Sequence, residues 1–199
     1  MGATVDSNAA WARLALTMLA GIVASVGMWS VVLVLPDAQA EFAVDRAAAS
    51  LPYTFTMFGF ALGNLLLGRV MDRHGAAAVL MGAAAALALG YLAAAMAPSL
   101  WALTAAQAVI GFASAAGFGP IIADVSHWFL RRRGVAVAMA ANGNYLAGVA
   151  WPLALAPILT AEGWRETYLV VALVCALMLP PLALTLRRRL PGEARAAAG

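Results

Sequence analysis

Six long apolar runs, separated by short polar turns, constrain this chain more than any other feature in it. They lie at about Leu14–Leu35, stopping at Pro36; Leu51–Leu67; Ala76–Ala97, closed by Pro98; Leu100–Val125; Val135–Thr160; and Thr167–Leu186. An α-helix rises about 1.5 Å per residue, so about twenty residues cross a hydrocarbon core of about 30 Å. Within lipid the backbone must satisfy its own hydrogen bonds, which leaves helices or closed barrels. Barrel strands alternate polar and apolar residues, and these Ala/Leu-rich runs do not. The expected fold class is an all-α membrane protein with six transmembrane helices. Composition agrees: 64% of residues are hydrophobic and 11% charged, against about 45–50% and about 25% in soluble domains. Met1–Ala10 lacks a basic n-region and a cleavage site, and the first run exceeds a signal h-region, so it is expected to be a retained span.

The arginines orient the bundle. With the N-terminus inside, Arg13, Arg69, Arg73, Arg131, Arg132, Arg133, Arg187, Arg188, Arg189 and Arg195 fall on the inner side. Only Arg46 and Arg165 fall outside, a clear positive-inside bias. Asp37, Glu41, Asp45, Glu162 and Glu166 lie on the outer side. Both termini are thus expected in the cytoplasm. Residues 1–199 form one bundle, with 1–12 and 188–199 as short tails. The net charge of +3 reflects these anchors rather than a nucleic-acid surface, since no aromatic-basic interleaving is present. All twelve basic residues are Arg and none is Lys, a mark of genome composition. Trp11 and Trp128 fall at the inner interface and Trp101 and Trp164 at the outer one, as amphipathic rings do.

Small residues recur at spacings of four: Gly59 and Gly63 in the second run, Gly82 to Ala94 in the third, Gly111 to Ala123 in the fourth. Such stripes let helices approach closely in lipid. Gly63-Asn-Leu-Leu-Leu-Gly68 and Gly143-Asn-Tyr-Leu-Ala-Gly148 occupy the same place in successive three-helix units. That pairing is what two inverted three-helix repeats produce.

No HExxH, GxSxG or phosphate-binding loop is present, nor a ligand-spaced His/Cys cluster. His74 and His127 are far apart in sequence, and Cys175 is the single cysteine. The chain is therefore not expected to be an enzyme or to hold a metal or cofactor. Neutral polar and aromatic residues inside the runs are the candidates for a solute pathway: Trp29, Ser30, Tyr53, Thr56, Asn64, Gln107, Ser114, Asn142, Asn144, Tyr145 and Trp151. Buried in lipid, each must find a partner or line a wet cavity. Gly117-Phe-Gly119-Pro120, Pro152, Pro157 and Pro180-Pro181 are expected to kink their helices.

The turn Gly68-x-x-x-Asp72-Arg73-x-Gly75 resembles the signature between helices two and three of the major facilitator superfamily. Trp128-Phe-x-x-Arg132-Arg133-Gly134-x-Ala136 is similar to the loop before helix five in oxalate/formate antiporter-like and monocarboxylate porters. Met28-Trp-Ser, Pro36, Glu41-Phe and Arg46 resemble the start of the same group, and Gly163-Trp-Arg165 is usual there. The resemblance covers essentially the whole chain, and only the first six-helix half of the twelve-helix fold. It departs at Ala76-Ala77, where a basic pair often stands, and at Gln107, where many members carry an arginine tied to proton coupling.

What the resemblance implies is secondary active transport by alternating access, of a small organic anion such as a mono- or dicarboxylate, in a bacterial cytoplasmic membrane. It implies a gate at Gly68, Asp72, Arg73, Gly75, Asp124, Arg132 and Arg133 that bridges the two halves; by electrostatics Asp72 is expected to pair with Arg73 and Asp124 to join them. The partners would be the bilayer, the solute, and a second six-helix half or a second copy. A non-transporting structural, regulatory or truncated membrane protein is the alternative.

Overall fold

The computed structural model describes residues 5–187, which are helical apart from short turns and contain no strand. Nine helices form six spans among these residues. Span one joins α1 (Asn8–Ala24) to α2 (Val26–Glu41) through a single non-helical residue, Ser25. A short α3 (Arg46–Ala49) leads into span two, α4 (Leu51–His74). Span three is α5 (Ala76–Ala95). Span four is α6 (Leu100–Ser114), a 3-10 turn at Ala115–Gly117, then α7 (Gly119–Ser126). Span five is α8 (Arg133–Glu162) and span six is α9 (Trp164–Thr185). All six are long and apolar enough to cross a membrane.

The helix starts follow local chemistry. The Ser7 and Ser99 side chains accept the amides of Ala10 and Ala102, both at 3.3 Å, and Asp45 accepts Ala48 N at 2.7 Å. Each supplies an acceptor to an otherwise unpaired first-turn donor.

Several expected boundaries move. Pro36 does not stop span one, which runs on to Glu41. A proline removes one amide donor, and the helix closes around that loss. α8 runs unbroken through Pro152 and Pro157, and α9 through Pro180-Pro181, whereas span four is interrupted at Ala115–Phe118, next to Pro120. The stretch Gly68–His74 is not a loop but the last two turns of α4, and only Gly75 lies outside a helix. Arg73 occupies the final turn, where a cation offsets the carbonyl end of the helix dipole. The segment expected as an N-terminal tail is already helical from Asn8, while 188–199 lies outside the described residues.

Packing repeats when spans one, two and three are exchanged with four, five and six. Span two packs on span four as five packs on one; three packs on four as six packs on one; three packs on six. Two further features repeat. The turns between spans two and three and between five and six are each a single left-handed glycine, Gly75 at φ 85° and Gly163 at φ 89°. A side chain is strained there, and glycine is not. The central helix breaks also pair, at Ser25 and Ala115–Gly117. They meet: a Cβ on Gly117 would lie 2.7 Å from Ala24 Cβ and 3.1 Å from the Gly21 carbonyl.

The hexapeptide likeness that suggested the repeat is out of this register. The linker glycines lie 88 residues apart (75 to 163), but the hexapeptides lie 80 apart (63 to 143). The eight-residue difference is about two helical turns. The small-residue stripes hold only in part. A Cβ on Gly59 would overlap the Ala108 carbonyl, and one on Gly111 the Thr56 carbonyl, so α4 and α6 meet backbone to backbone. Gly82 faces open space.

Candidate functional site

Three polar groupings carry what chemistry this bundle has. The first is a seam through its centre. The Thr56 hydroxyl shares its proton between the Pro52 carbonyl at 2.8 Å and Gln107 Oε1 at 3.1 Å. Gln107 Nε2 donates to the Tyr168 hydroxyl at 2.6 Å. The Tyr168 ring meets Tyr91 edge-on at 5.2 Å, and the Tyr91 hydroxyl pairs with Ser30 Oγ at 2.7 Å. This seam ties spans one, two, three, four and six. Ser30, Thr56, Gln107, Tyr91 and Tyr168 are all buried. Ser114 is also buried, beside Gly27, and its hydroxyl has no partner.

The other pathway candidates range from buried to exposed. The half-buried Trp29 donates its indole N–H to Asn144, to the carbonyl at 3.1 Å and to Oδ1 at 3.2 Å. Gly148 lies under that indole, where a Cβ would come within 2.9 Å of the ring. Asn64 Oδ1 accepts the Gly119 amide at 3.1 Å, just beyond the break in span four. Trp151 is buried and donates to the Ile22 carbonyl at 2.8 Å. Tyr53, Asn142 and Tyr145 are exposed. They sit on spans two and five, the least enclosed in the bundle. Only 17% of the most apolar window of span two and 22% of that of span five are buried, against 44–56% in the other four.

The second grouping closes one end of the bundle. Arg13 Nε donates to Asp124 Oδ2 at 2.9 Å and its Nη2 to Oδ1 at 3.1 Å. The same Nη2 donates to the Leu186 carbonyl at 3.1 Å, and the guanidinium stacks over Trp128 at 4.5 Å. Arg13 and Asp124 are only 7% and 18% exposed. Asp6 accepts the amides of Leu130 and Arg131, and Trp11 packs edge-on against Phe129 at 5.0 Å. A cleft of about 530 Å³ opens beside the pair. Asp72, His74, Gly75, His127 and Arg187 are among the residues that line it, so the two distant histidines line one cleft.

The gate cluster is therefore arranged differently from the expectation. Asp124 is joined to Arg13, not to Asp72 and Arg73, because the end of α7 meets the start of α1. Asp72 and Arg73 are exposed on the last turn of α4 and make no ion pair with each other. Arg132 and Arg133 are exposed as well, with Arg132 over the Trp11 ring at 6.0 Å. Gly68 has open space where a Cβ would stand.

The third grouping closes the opposite end. Arg165 pairs with Glu41 at 2.5 Å and donates to the carbonyls of Ala95 at 2.6 Å and Ala97 at 2.9 Å. The Trp164 indole donates to the other Glu41 oxygen at 2.6 Å, and Arg165 lies 4.4 Å from that ring. Sequence reasoning missed both arginine staples and both buried tyrosines. The available signal was Arg13 and Asp124 themselves, opposite charges at the margins of apolar runs, which in lipid seek each other.

The sequence profile of the Major Facilitator Superfamily matches residues 17–199. The chain belongs to this superfamily. Its relatives there include the MFS-type transporter pytF of Aspergillus terreus, 29% identical over 68% of this chain and 46% of that protein. Monocarboxylate transporter 11 of Homo sapiens is 33% identical over 61% of this chain and 26% of that protein. The uncharacterized MFS-type transporter YhjX of Escherichia coli is 24% identical over 78% of this chain and 38% of that protein. The chain spans about half or less of the length of the curated relatives it matches. Superfamily membership and six membrane-capable helices make it an integral, multi-pass membrane protein of a transporter family.

Proposed function

We propose that this chain is a six-helix half of a secondary active transporter for a small organic anion, a mono- or dicarboxylate. It works by alternating access against a second six-helix unit, a separate half or a second copy. The observation that carries this reading is the open flank of spans two and five within a superfamily fold. Those spans present Tyr53, Asn142 and Tyr145 to a partner or a solute. The carboxylate class rests on the likeness to the monocarboxylate transporter and on the resemblances at Trp128–Ala136 and Gly163–Arg165.

The Arg13 end is the cytoplasmic one in this reading, following the positive-inside rule, and the membrane is a bacterial cytoplasmic membrane. Gly68, Asp72, Arg73, Gly75, Asp124, Arg132 and Arg133 form this half of the gate. Asp72 and Arg73, exposed on the last turn of span two, face the other unit when that side closes. Trp29 and Asn144 stand at the margin of the solute path. The buried Ser30, Thr56, Gln107 and Ser114 hold the half together behind it.

The test is uptake into proteoliposomes against a panel of carboxylates, with and without a proton gradient. Saturable uptake of at least one carboxylate is expected. Asp72→Asn is expected to lower it while membrane insertion stays intact. Inert liposomes, with the chain reconstituted alone and with a second half, would favour a structural or regulatory protein.

A further inference from the structure

One charged residue plays no part in the gate as described, yet it is the one charged residue buried among the described residues. Arg13 is 7% exposed, and among the described residues its guanidinium reaches Asp124, Leu186 and Trp128. Two nitrogens fork onto the Asp124 carboxylate at the end of span four, and one of them also reaches the Leu186 carbonyl just beyond span six. The flat face rests on Trp128, in the turn after span four. Only a planar, permanently charged fork serves a carboxylate, a carbonyl and an aromatic face together; an ammonium is a point charge.

We infer that Arg13 is the positioning residue of the proposed gate. It draws the ends of spans four and six onto span one and, by taking Asp124, leaves Asp72 and Arg73 of span two unengaged across the cleft. This rests on the gating reading above and deepens it. The superfamily resemblance places Asp124 in a common cluster with the turn after span two. Here the turn has alanines at 76 and 77 in place of a basic pair, and the cation on Asp124 arrives instead from span one. The cleft then has two walls. One is the stapled block of Arg13, Asp124, Trp128 and Leu186; the other is the end of α4 and the start of α5, carrying Asp72, His74 and Ala78. Its width depends on where the staple holds the block.

The test reads that width directly and needs no uptake. With Cys175 replaced by alanine, a reporter Ala78→Cys sits on the cleft wall, and a second reporter, Ala102→Cys, sits at the opposite end of the bundle. Maleimide labelling is followed in detergent micelles, where both ends are reachable. Arg13→Gln and Asp124→Asn are each expected to change labelling at 78 by about tenfold, mid-range for a coupled contact pair. The double variant is expected to change it no further, and labelling at 102 is expected to stay within about twofold. Arg13→Lys, which keeps the charge and loses the fork, is expected to fall between wild type and Arg13→Gln, and it serves if the Gln variant does not fold.

An unchanged rate at 78 in either charge-removing variant overturns the inference. So does an equal change at 102, which would mean general loosening, or additive effects in the double variant. A wild-type rate in Arg13→Lys also overturns it. The labelling pattern without any uptake would remove the transport reading alone, so the two failures are distinguishable.

Discussion

The two ends of the bundle are closed by the same device with opposite exposure. At one end Arg13 serves the carboxylate ending span four and the carbonyl ending span six, under Trp128. At the other Arg165 serves the carboxylate ending span one and the carbonyls ending span three, under Trp164. Exchanging the three-helix units swaps these recipients, one for four and three for six. The donors do not follow the exchange, since Arg13 begins span one and Arg165 begins span six. The Arg13 pair is 7% and 18% exposed, the Arg165 pair 32% and 41%. A repeat can therefore preserve where an end must be tied without preserving which helix supplies the tie or how wet it is.

That contrast sets the expected energetics. Removing one partner of an enclosed ion pair strands the other, at a cost of about 3–5 kcal/mol. Asp124→Asn is expected to lower thermal stability in detergent by that order, and a loss comparable to the opposite end would erase the comparison. Gln107→Leu is the intermediate case, because the Tyr168 hydroxyl and Thr56 would lose a buried partner at about 1–3 kcal/mol. Melting curves that place it above Asp124→Asn would move the keystone from the end of the bundle to its centre. Glu41→Gln should cost least, about 0.2–1 kcal/mol, since its pair with Arg165 is partly solvated. That difference is expected to shrink in high salt, where exposed charges are screened, while the Asp124→Asn difference persists. Equal salt sensitivity at both ends would show that burial does not separate them.

Much of the architecture was legible in the residues. Apolar runs of membrane length named six helices, and Gly75 and Gly163 stood at the two turns where a left-handed backbone is required. The Gly68–His74 stretch misled because a glycine and four ionisable side chains read as a loop. Nothing in it forbids a helix, however, and the backbone breaks only at Gly75. Pro36 misled in the same way, as a boundary mark that cost one hydrogen bond and no more. The hexapeptide pair pointed to a true repeat through a false register, since Gly, Leu and Ala recur in every span.

The candidate site was legible as a set of residue types but not as a set of pairs. Tyr91 and Tyr168 were invisible because an isolated tyrosine in an apolar run announces no partner. Their role appears only when spans three and six pack against each other.

Length, hydropathy and the placement of arginines are local properties, so the chain alone determined that it forms six membrane-length helices with its basic residues concentrated toward alternate turns. Pairing is a property of packed surfaces. Arg13 and Asp124 lie 111 residues apart, and Arg165 and Glu41 lie 124 apart. At such separations no periodicity carries information about contact. Only the crossing of spans one and four, and of spans one and six, decided which carboxylate each arginine would meet.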